Sequence, residues 1–375
     1  MKNGKRRTEN GKWRTNQFSV LRFPFYVLLL SLLVCSCSKP QINLFADYKE
    51  IPVVYGMLDV NADTNFIKIT RAFSSTNEDP IDPYEVALIY DSSNYPGKLN
   101  AYIEELKRRH DGPFQPTGRR IVLDTITIHN KEAGPFYSPH QLLYYTTEQF
   151  NTAHDGLSYR YRLNVIIPNG DTVTAETSVV GGEISVVSSK VTFQSEPTTN
   201  NANILFSSSE EASLYEIVMH FHYLERHDDG PMMPKEVSWS YGIKRLTEYE
   251  KVAGTENVYR LYYDMNSLFT NMRYAIGNDT VWNTNHFNVV RAIGDFVISI
   301  SAAGADFAHY YLSAQPAITL APEYSNVNGG WGLFSSRYEV SKTVEMSYRT
   351  QYDLFCEPWG FLEQKTENGK RKTED

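Results

Sequence analysis

Two alternating runs joined by a tight turn set the strongest limit on what this chain can become. Leu157-Ser-Tyr-Arg-Tyr-Arg-Leu-Asn-Val-Ile-Ile167 and Thr172-Val-Thr-Ala-Glu-Thr-Ser-Val179 flank Pro168-Asn169-Gly170-Asp171. Side chains on a strand alternate between faces, so each run presents one apolar and one polar side. Asn-Gly between two such runs is a strong short-range signal for a hairpin. The same period of two recurs in Ile51–Asp59 and Asn65–Phe73, which flank a turn-forming stretch and read as a second hairpin. Tyr84–Tyr90, Arg120–Ile128 and Leu142–Thr147 add further strands, though Ser138-Pro139 with Gln141 also fits a helix start at the last. Leu99, Tyr102, Ile103 and Leu106 recur at helical spacing until His110-Asp-Gly-Pro113 stops them. The abundance of tyrosine (26 residues) and phenylalanine (19) suits pleated faces.

Gly181-Gly182 then marks a boundary, and a second series begins. It contains strand candidates at Val186–Phe193, Ile204–Phe206, Leu214–Leu224, Glu236–Lys244, Asn288–Ser301 and Arg337–Met346. Asp264 can cap a short helix reaching Met272, and Ala303–Ala314 places Phe307 and Tyr311 along one helical stripe. The expected class is mainly β: an immunoglobulin- or fibronectin-like sandwich over 50–183, then a β-rich α+β domain with short helices over 184–355. A charged, disordered tail is expected over 356–375, in which Thr366–Lys370 repeats the Thr8–Lys12 sequence.

The beginning of the chain says where this fold works. Seven basic residues precede the apolar run Phe23–Val34, which is shorter than the roughly 20 residues that span a bilayer. A charged start, short apolar centre and small residues at the end describe an export signal over 1–36. Its last residues, Val34-Cys35-Ser36-Cys37, resemble a bacterial lipobox, in which cleavage precedes a cysteine that receives acyl chains such as palmitate. Cys37 fits that role better than Cys35, because Ser36 is small whereas Val34 would crowd the site. Residues 37–49 then form a lipidated tether.

Cleavage there leaves 339 of the 375 residues and removes seven basic groups and one acid. The remaining 29 basic and 43 acidic residues carry a formal net charge of −14. That balance argues against nucleic acid or an anionic bilayer surface as partner and places the protein at a membrane through its anchor, not its charge. Only Cys356 then remains as a thiol. It has no disulfide partner and reads as a small buried hydrophobe.

No Gly-x-Ser-x-Gly, His-Glu-x-x-His, phosphate-binding Gly-Lys loop or Cys-x-x-Cys occurs, so no catalytic residue and no cofactor is assigned. Asp59, Asn61, Asp63 and Asn65 have calcium-loop spacing, but Thr64 and Thr70 stand where Gly and Glu belong, favouring a polar hairpin tip. His220 and His222 share a strand face, with Glu216 or Glu225 as candidate third metal ligand, and no metal is assigned because spacing fixes no third ligand. The turns His110-Asp-Gly112, His154-Asp-Gly156 and His227-Asp-Asp-Gly230 read as turn chemistry. One stretch stands apart: Tyr324-Ser-Asn326-Val-Asn328-Gly329-Gly330-Trp331-Gly332-Leu-Phe334, where glycine freedom adjoins large aromatics. It is expected either to latch the second domain, with Trp331 buried, or to contact a partner; burial of Trp331 is the preferred reading.

The Val53–Asp59 opening, Thr70–Phe73, the Tyr159–Thr177 hairpin and the Tyr324–Phe334 stretch together resemble a Bacteroidota family of outer-membrane lipoproteins of unknown function. The resemblance implies an exported lipoprotein with an immunoglobulin-like first domain, acting beside a TonB-dependent outer-membrane receptor. It implies no catalytic residue. Ser38-Lys39-Pro40-Gln41-Ile42-Asn43 departs from the acids that surface lipoproteins of these bacteria carry after the lipidated cysteine. The expected function is a non-enzymatic binding or accessory subunit in the envelope. An envelope hydrolase or metal-dependent enzyme, and a purely structural component, are its rivals.

Overall fold

A computed structural model describes residues 51–72, 82–196, 201–276, 289–314 and 324–362. The signal, the tether and the tail beyond 362 lie outside the described residues. The fold is mainly β. Strands β1 (Pro52–Asp59) and β2 (Asn65–Arg71) form the expected hairpin. Its tip is closed by polar side chains: Asn65 Oδ1 accepts the Asp59 N–H at 2.6 Å, and Asp59 Oδ1 accepts the Asn61 N–H at 2.9 Å. Asp59 also takes Arg337 at 3.1 Å, so its carboxylate is engaged in protein contacts.

Two expectations fail next. Tyr84–Tyr90 is not a strand; helices α1 (Pro83–Ala87) and α2 (Tyr90–Ser93) stand there. Asp82-Pro83 decides this, since the Asp82 carboxylate accepts the Tyr84 N–H at 3.0 Å and proline suits the first helical turn. Conversely, the supposed helix from Leu99 to Leu106 is strand β3 (Asn100–Arg109). Ala101, Ile103 and Glu105 point inward with period two, and a bulge between Glu104 and Leu106 turns Leu106 inward as well. A glutamate at an inward position hid the strand period, and the bulge mimicked a helical one.

Strands β4 (Gln115–Val122) and β5 (Asp124–Ile128) divide the single strand expected over Arg120–Ile128. The break is the buried Leu123, where the chain leaves one sheet for another. Strand β6 (Gln141–Thr146) follows, with no helix at its start, and then the predicted hairpin of β7 (Leu157–Ile166) and β8 (Thr172–Ser178). Gly170 takes φ 90° in its turn.

Beyond Gly181 come the short β9 (Ser185–Val186) and β10 (Lys190–Val191), then β11 (Asn201–Ser207), β12 (Ala212–His227) and β13 (Met233–Arg245). Strands β14 (Glu250–Lys251) and β15 (Val258–Asp264) lead into helix α3 (Ser267–Ile276). Asp264 is therefore three residues short of the helix it was expected to cap, and its carboxylate instead accepts the Asn266 N–H at 2.8 Å. Strand β16 (Val289–Gly304), helix α4 (Ala305–Ser313), strands β17 (Val327–Asn328) and β18 (Trp331–Met346), and helix α5 (Tyr348–Cys356) complete the described residues. Cys356 is exposed, not buried; the buried residues of this region are Trp359 and Phe361, so the tail begins later than position 356. Among the described residues no helix is long and apolar enough to cross a membrane.

A nine-stranded sheet runs in the order β13-β12-β16-β18-β1-β2-β6-β5, with β10 added beside β18. A four-stranded sheet, β14-β15-β11-β9, and a five-stranded sheet, β17-β8-β7-β3-β4, pack on it. The larger core gathers Phe193, Phe206, Phe221, Phe296 and residues of α3 and α5; the smaller gathers Val54, Ile67, Tyr144, Tyr161 and Phe334. Strand β18 belongs to both. Its first half pairs in parallel with β1, and its second half pairs antiparallel with β16. The described residues accordingly make one compact unit.

Candidate functional site

The stretch from Tyr324 to Phe334 lies where the sheets meet. Val327 and Asn328 add a short strand to β8, opposite Ala175 and Thr174, while Trp331 onward joins β1 in the other sheet. Asn326 holds the crossing together. Its amide nitrogen donates to the Phe334 carbonyl at 2.7 Å and the Glu176 carbonyl at 3.1 Å, and its oxygen accepts the Phe334 N–H at 3.0 Å. Gly332 sits at φ 124°, and a Cβ there would fall 1.9 Å from the Val54 carbonyl oxygen. A Cβ on Gly330 would lie 2.6 Å from the Pro52 oxygen. Close backbone approach to β1 thus requires glycine at both positions. Gly329, at φ 77°, makes the turn.

The stretch therefore ties the sheets together, but not through the residue expected to do so. Trp331 is 40% exposed, while Phe334 is completely buried against Ile67 and the backbone of Gly56. Strand alternation explains the exchange. Position 331 shares the outward face of β1 with Val53 and Tyr55, and position 334 shares the inward face with Val54 and Gly56.

Tyr324, at the start of the same stretch, borders a cavity of about 340 Å³ between β7, β8, α4 and the turn before β12. Its hydroxyl donates to Asp306 Oδ1 at 2.7 Å, its N–H donates to Ser313 at 3.3 Å, and its ring lies 5.3 Å from the His309 ring. Burial, reinforced by the Asp306 carboxylate, raises the Tyr324 pKa, so the hydroxyl stays protonated and donating. Glu211 enters the cavity from the turn between β11 and β12. Burial raises its carboxyl pKa, against the opposing pull of Ser178, Arg108 and Arg160. Glu176 is held at 2.6 Å by Arg162, and Arg160 lies 4.5 Å over the Phe114 ring. The cavity thus combines a reluctantly ionised carboxyl, a tyrosine donor, an imidazole and a guanidinium. Such a convergence of polar groups in a concavity is the usual form of a binding site. Sequence reasoning missed Glu211, Asp306 and His309, which belong to separate segments; only Tyr324 carried a signal.

A second, more apolar cavity of about 390 Å³ opens beside Met57, Leu214, Ile243, Ala303 and Phe307, with Glu216 and Arg337 at its rim. Glu216 is thereby placed away from any histidine pair and accepts Ser240 at 2.7 Å. His220 and His222 do share a face, as expected. Their carboxylate is Glu236 of β13, 2.7 Å from His220 and 3.6 Å from His222. The hydrogen bond from His220 outweighs slight burial and keeps the Glu236 carboxyl below its ordinary pKa. Among the described residues no group of three His, Cys, Asp or Glu is placed to hold a metal ion.

Glu225, the other expected ligand, is buried with Arg291, whose guanidinium reaches it at 2.6 Å and also donates to the Trp359 carbonyl at 2.6 Å. Burial opposes ionisation of Glu225, but hydrogen bonds from His227 and Arg291 outweigh it and hold the carboxyl below its ordinary pKa. Two of the three His-Asp-Gly turns meet: the His110 N–H donates to the Gly156 carbonyl at 2.8 Å, because β3 pairs with β7 up to Arg109 and Leu157. Left-handed φ values at His110, Asp155 and Asp228 show them as turn residues. The third turn stays apart, with His227 bonded to Glu225 at 3.0 Å.

No protein-family model matches the chain, and no curated protein matches it in sequence.

Proposed function

We propose that this chain is an exported, lipid-anchored envelope protein whose mature part is a non-enzymatic binding or accessory subunit. The observation that carries this reading is the leader ending in Val34-Cys35-Ser36-Cys37, which supplies both an export signal and an acceptor for lipid. The resemblance drawn from Tyr324–Phe334 and the other quoted stretches adds an outer-membrane location and a TonB-dependent receptor as partner. An immunoglobulin- or fibronectin-like first domain, followed by a β-rich second one, is part of the proposal. In its favour, β1-β2-β6-β5 and β4-β3-β7-β8 follow the A-B-E-D and C′-C-F-G strand orders of that architecture. Tyr161 of β7 also bonds back to the backbone of Asn151, as a tyrosine corner does.

The cavity at Tyr324 is the proposed contact for a bound group. Cross-linking in intact cells, followed by purification from detergent-solubilised membranes, tests the reading. An envelope protein should be recovered with wild type and lost with Tyr324→Ala; recovery of the chain alone would contradict it. One observation favours a second reading, an envelope hydrolase. Glu211, its carboxyl pKa raised by burial, lines the same cavity as His309 and Tyr324, a grouping that brings proton-transferring side chains together. Turnover of envelope glycan or peptide by wild type, abolished in Glu211→Gln, would favour the enzyme over the binding subunit.

A further inference from the structure

The outward face of β18, β1, β2, β6 and β5 is unlike the rest of this acidic chain. Register places Trp331 beside Val53, Tyr55 beside Lys68, Phe66 beside Tyr145, and Ile126 beside Leu143. The Phe66 and Tyr145 ring centroids are 6.1 Å apart. Trp331 is 40% exposed, Tyr55 39%, and Phe66 and Ile126 each 46%; Ile51, at the entrance to β1, is exposed too. The chain has 44 acidic residues, yet on this face β1, β2, β6 and β5 carry two carboxylates, Asp59, held by Arg337 at 3.1 Å, and Asp124, held by Lys98 at 3.1 Å; Glu339 and Glu345 lie further along β18. Lys68 supplies a cation near its centre. Burial is the main reason its pKa is lowered, and Lys131 lies close enough to add to the effect.

We infer that this face rests on a lipid surface, with Trp331, Tyr55 and Phe66 seated among the headgroups. The inference rests on the lipid-anchor reading above. Three observations carry it. Tryptophan and tyrosine, apolar in body and polar at the tip, are the side chains that settle at a bilayer interface. A bilayer surface repels exposed carboxylates, and the two on the β1, β2, β6 and β5 part of this face are each paired with a cation. Finally, the anchor leads into the face itself. The 14 residues from Ser38 to Ile51 reach at most about 50 Å when fully extended, and they end at β1, whose outward side chains belong to the patch. Contact through aromatics also agrees with a mature chain too acidic to bind by charge. The face continues past Met57 into the apolar cavity lined by Leu214, Ile243 and Phe307, extending the apolar surface available to acyl chains.

The test uses the full chain purified from membranes, with its intact mass read first for attached acyl chains. Protein is then placed in vesicles of phosphatidylcholine, either plain or with brominated chains that quench nearby tryptophan. In a Trp282→Phe background, bromination should reduce emission and a further Trp331→Phe should remove that reduction, since the remaining Trp239 and Trp359 belong to or pack against the larger core. A double variant, Tyr55→Ser with Phe66→Ser, should lose most of the quenching of Trp331. Attached lipid with equal quenching with and without Trp331→Phe in that background would overturn the inference and leave the anchor reading intact. Absence of lipid in the mass would overturn both. Shielding of Trp331 that appears only with added protein, or rises with its own concentration, would assign the face to a protein partner or second copy instead.

Discussion

Replacing Phe334 by alanine should cost this fold far more than replacing Trp331, although tryptophan is the larger residue. Phe334 is fully buried in the smaller core, where its ring faces Ile67 and the bare backbone of Gly56. Transfer of a buried phenylalanine to water accounts for roughly 1.5–3 kcal/mol. A cavity contribution adds to it, since the wall at Gly56 has no side chain to move into the space. Asn326 also grips both the N–H and the carbonyl of Phe334, at 3.0 and 2.7 Å, which restrains collapse of the strand. Together these place Phe334→Ala at about 3–5 kcal/mol, the range of buried aromatic truncations. Trp331 lies on the outward face, so Trp331→Ala should stay within about 1 kcal/mol. Urea unfolding followed by circular dichroism measures both. Equal losses, or a loss below about 1.5 kcal/mol for Phe334→Ala, would refute the assignment of Phe334 as the anchor of the junction.

Gly332→Ala should prevent the pairing of β1 with β18, since its Cβ would fall on the Val54 carbonyl; native-like expression and melting of that variant would contradict the register. Arg291→Met leaves Glu225 buried without its main partner and should cost about 3–5 kcal/mol, read as a drop in unfolding midpoint. Glu225 has a lowered folded pKa, so its contribution is present above the unfolded value near 4.3 and is lost as pH falls through the folded value. The loss of stability of wild type on acidification should therefore be shallower in Glu225→Gln. Tyr161→Phe removes a hydroxyl that donates to Glu105 at 2.9 Å and accepts the Asn151 N–H at 2.6 Å, and should cost about 1–3 kcal/mol by thermal melts. Burial opposes ionisation of Glu105, but its hydrogen bonds outweigh it; without Tyr161 its pKa should rise, which carboxyl NMR titration measures.

The sequence disclosed strands wherever alternation was undisturbed, as in the β7–β8 hairpin and the core-facing Met219, Phe221 and Tyr223 of β12. It misled where an inward position was polar. Glu105 is satisfied by Tyr161, Asn151, Thr117 and Arg119 from four separate positions, and nothing local to β3 reveals that such partners exist. The double role of β18 was likewise unreadable, because pairing with β1 joins residues some 280 positions apart. At the candidate cavity only Tyr324 stood out, as part of an unusual Gly- and aromatic-rich run. Glu211, Asp306 and His309 are ordinary in their own neighbourhoods and gain meaning only when the fold brings them together.

Lipid on Cys37 is the most direct test of the proposed role. Cells expressing wild type and Cys37→Ala would be fed a clickable palmitate analogue, and the mature protein analysed by mass spectrometry and fractionation. The reading predicts label and acyl mass on the new N-terminal Cys37 of wild type, with recovery in membranes. For Cys37→Ala it predicts no label, with the protein released to soluble fractions or left as uncleaved precursor. A Cys37→Ala protein that still matures and partitions into membranes like wild type would contradict it.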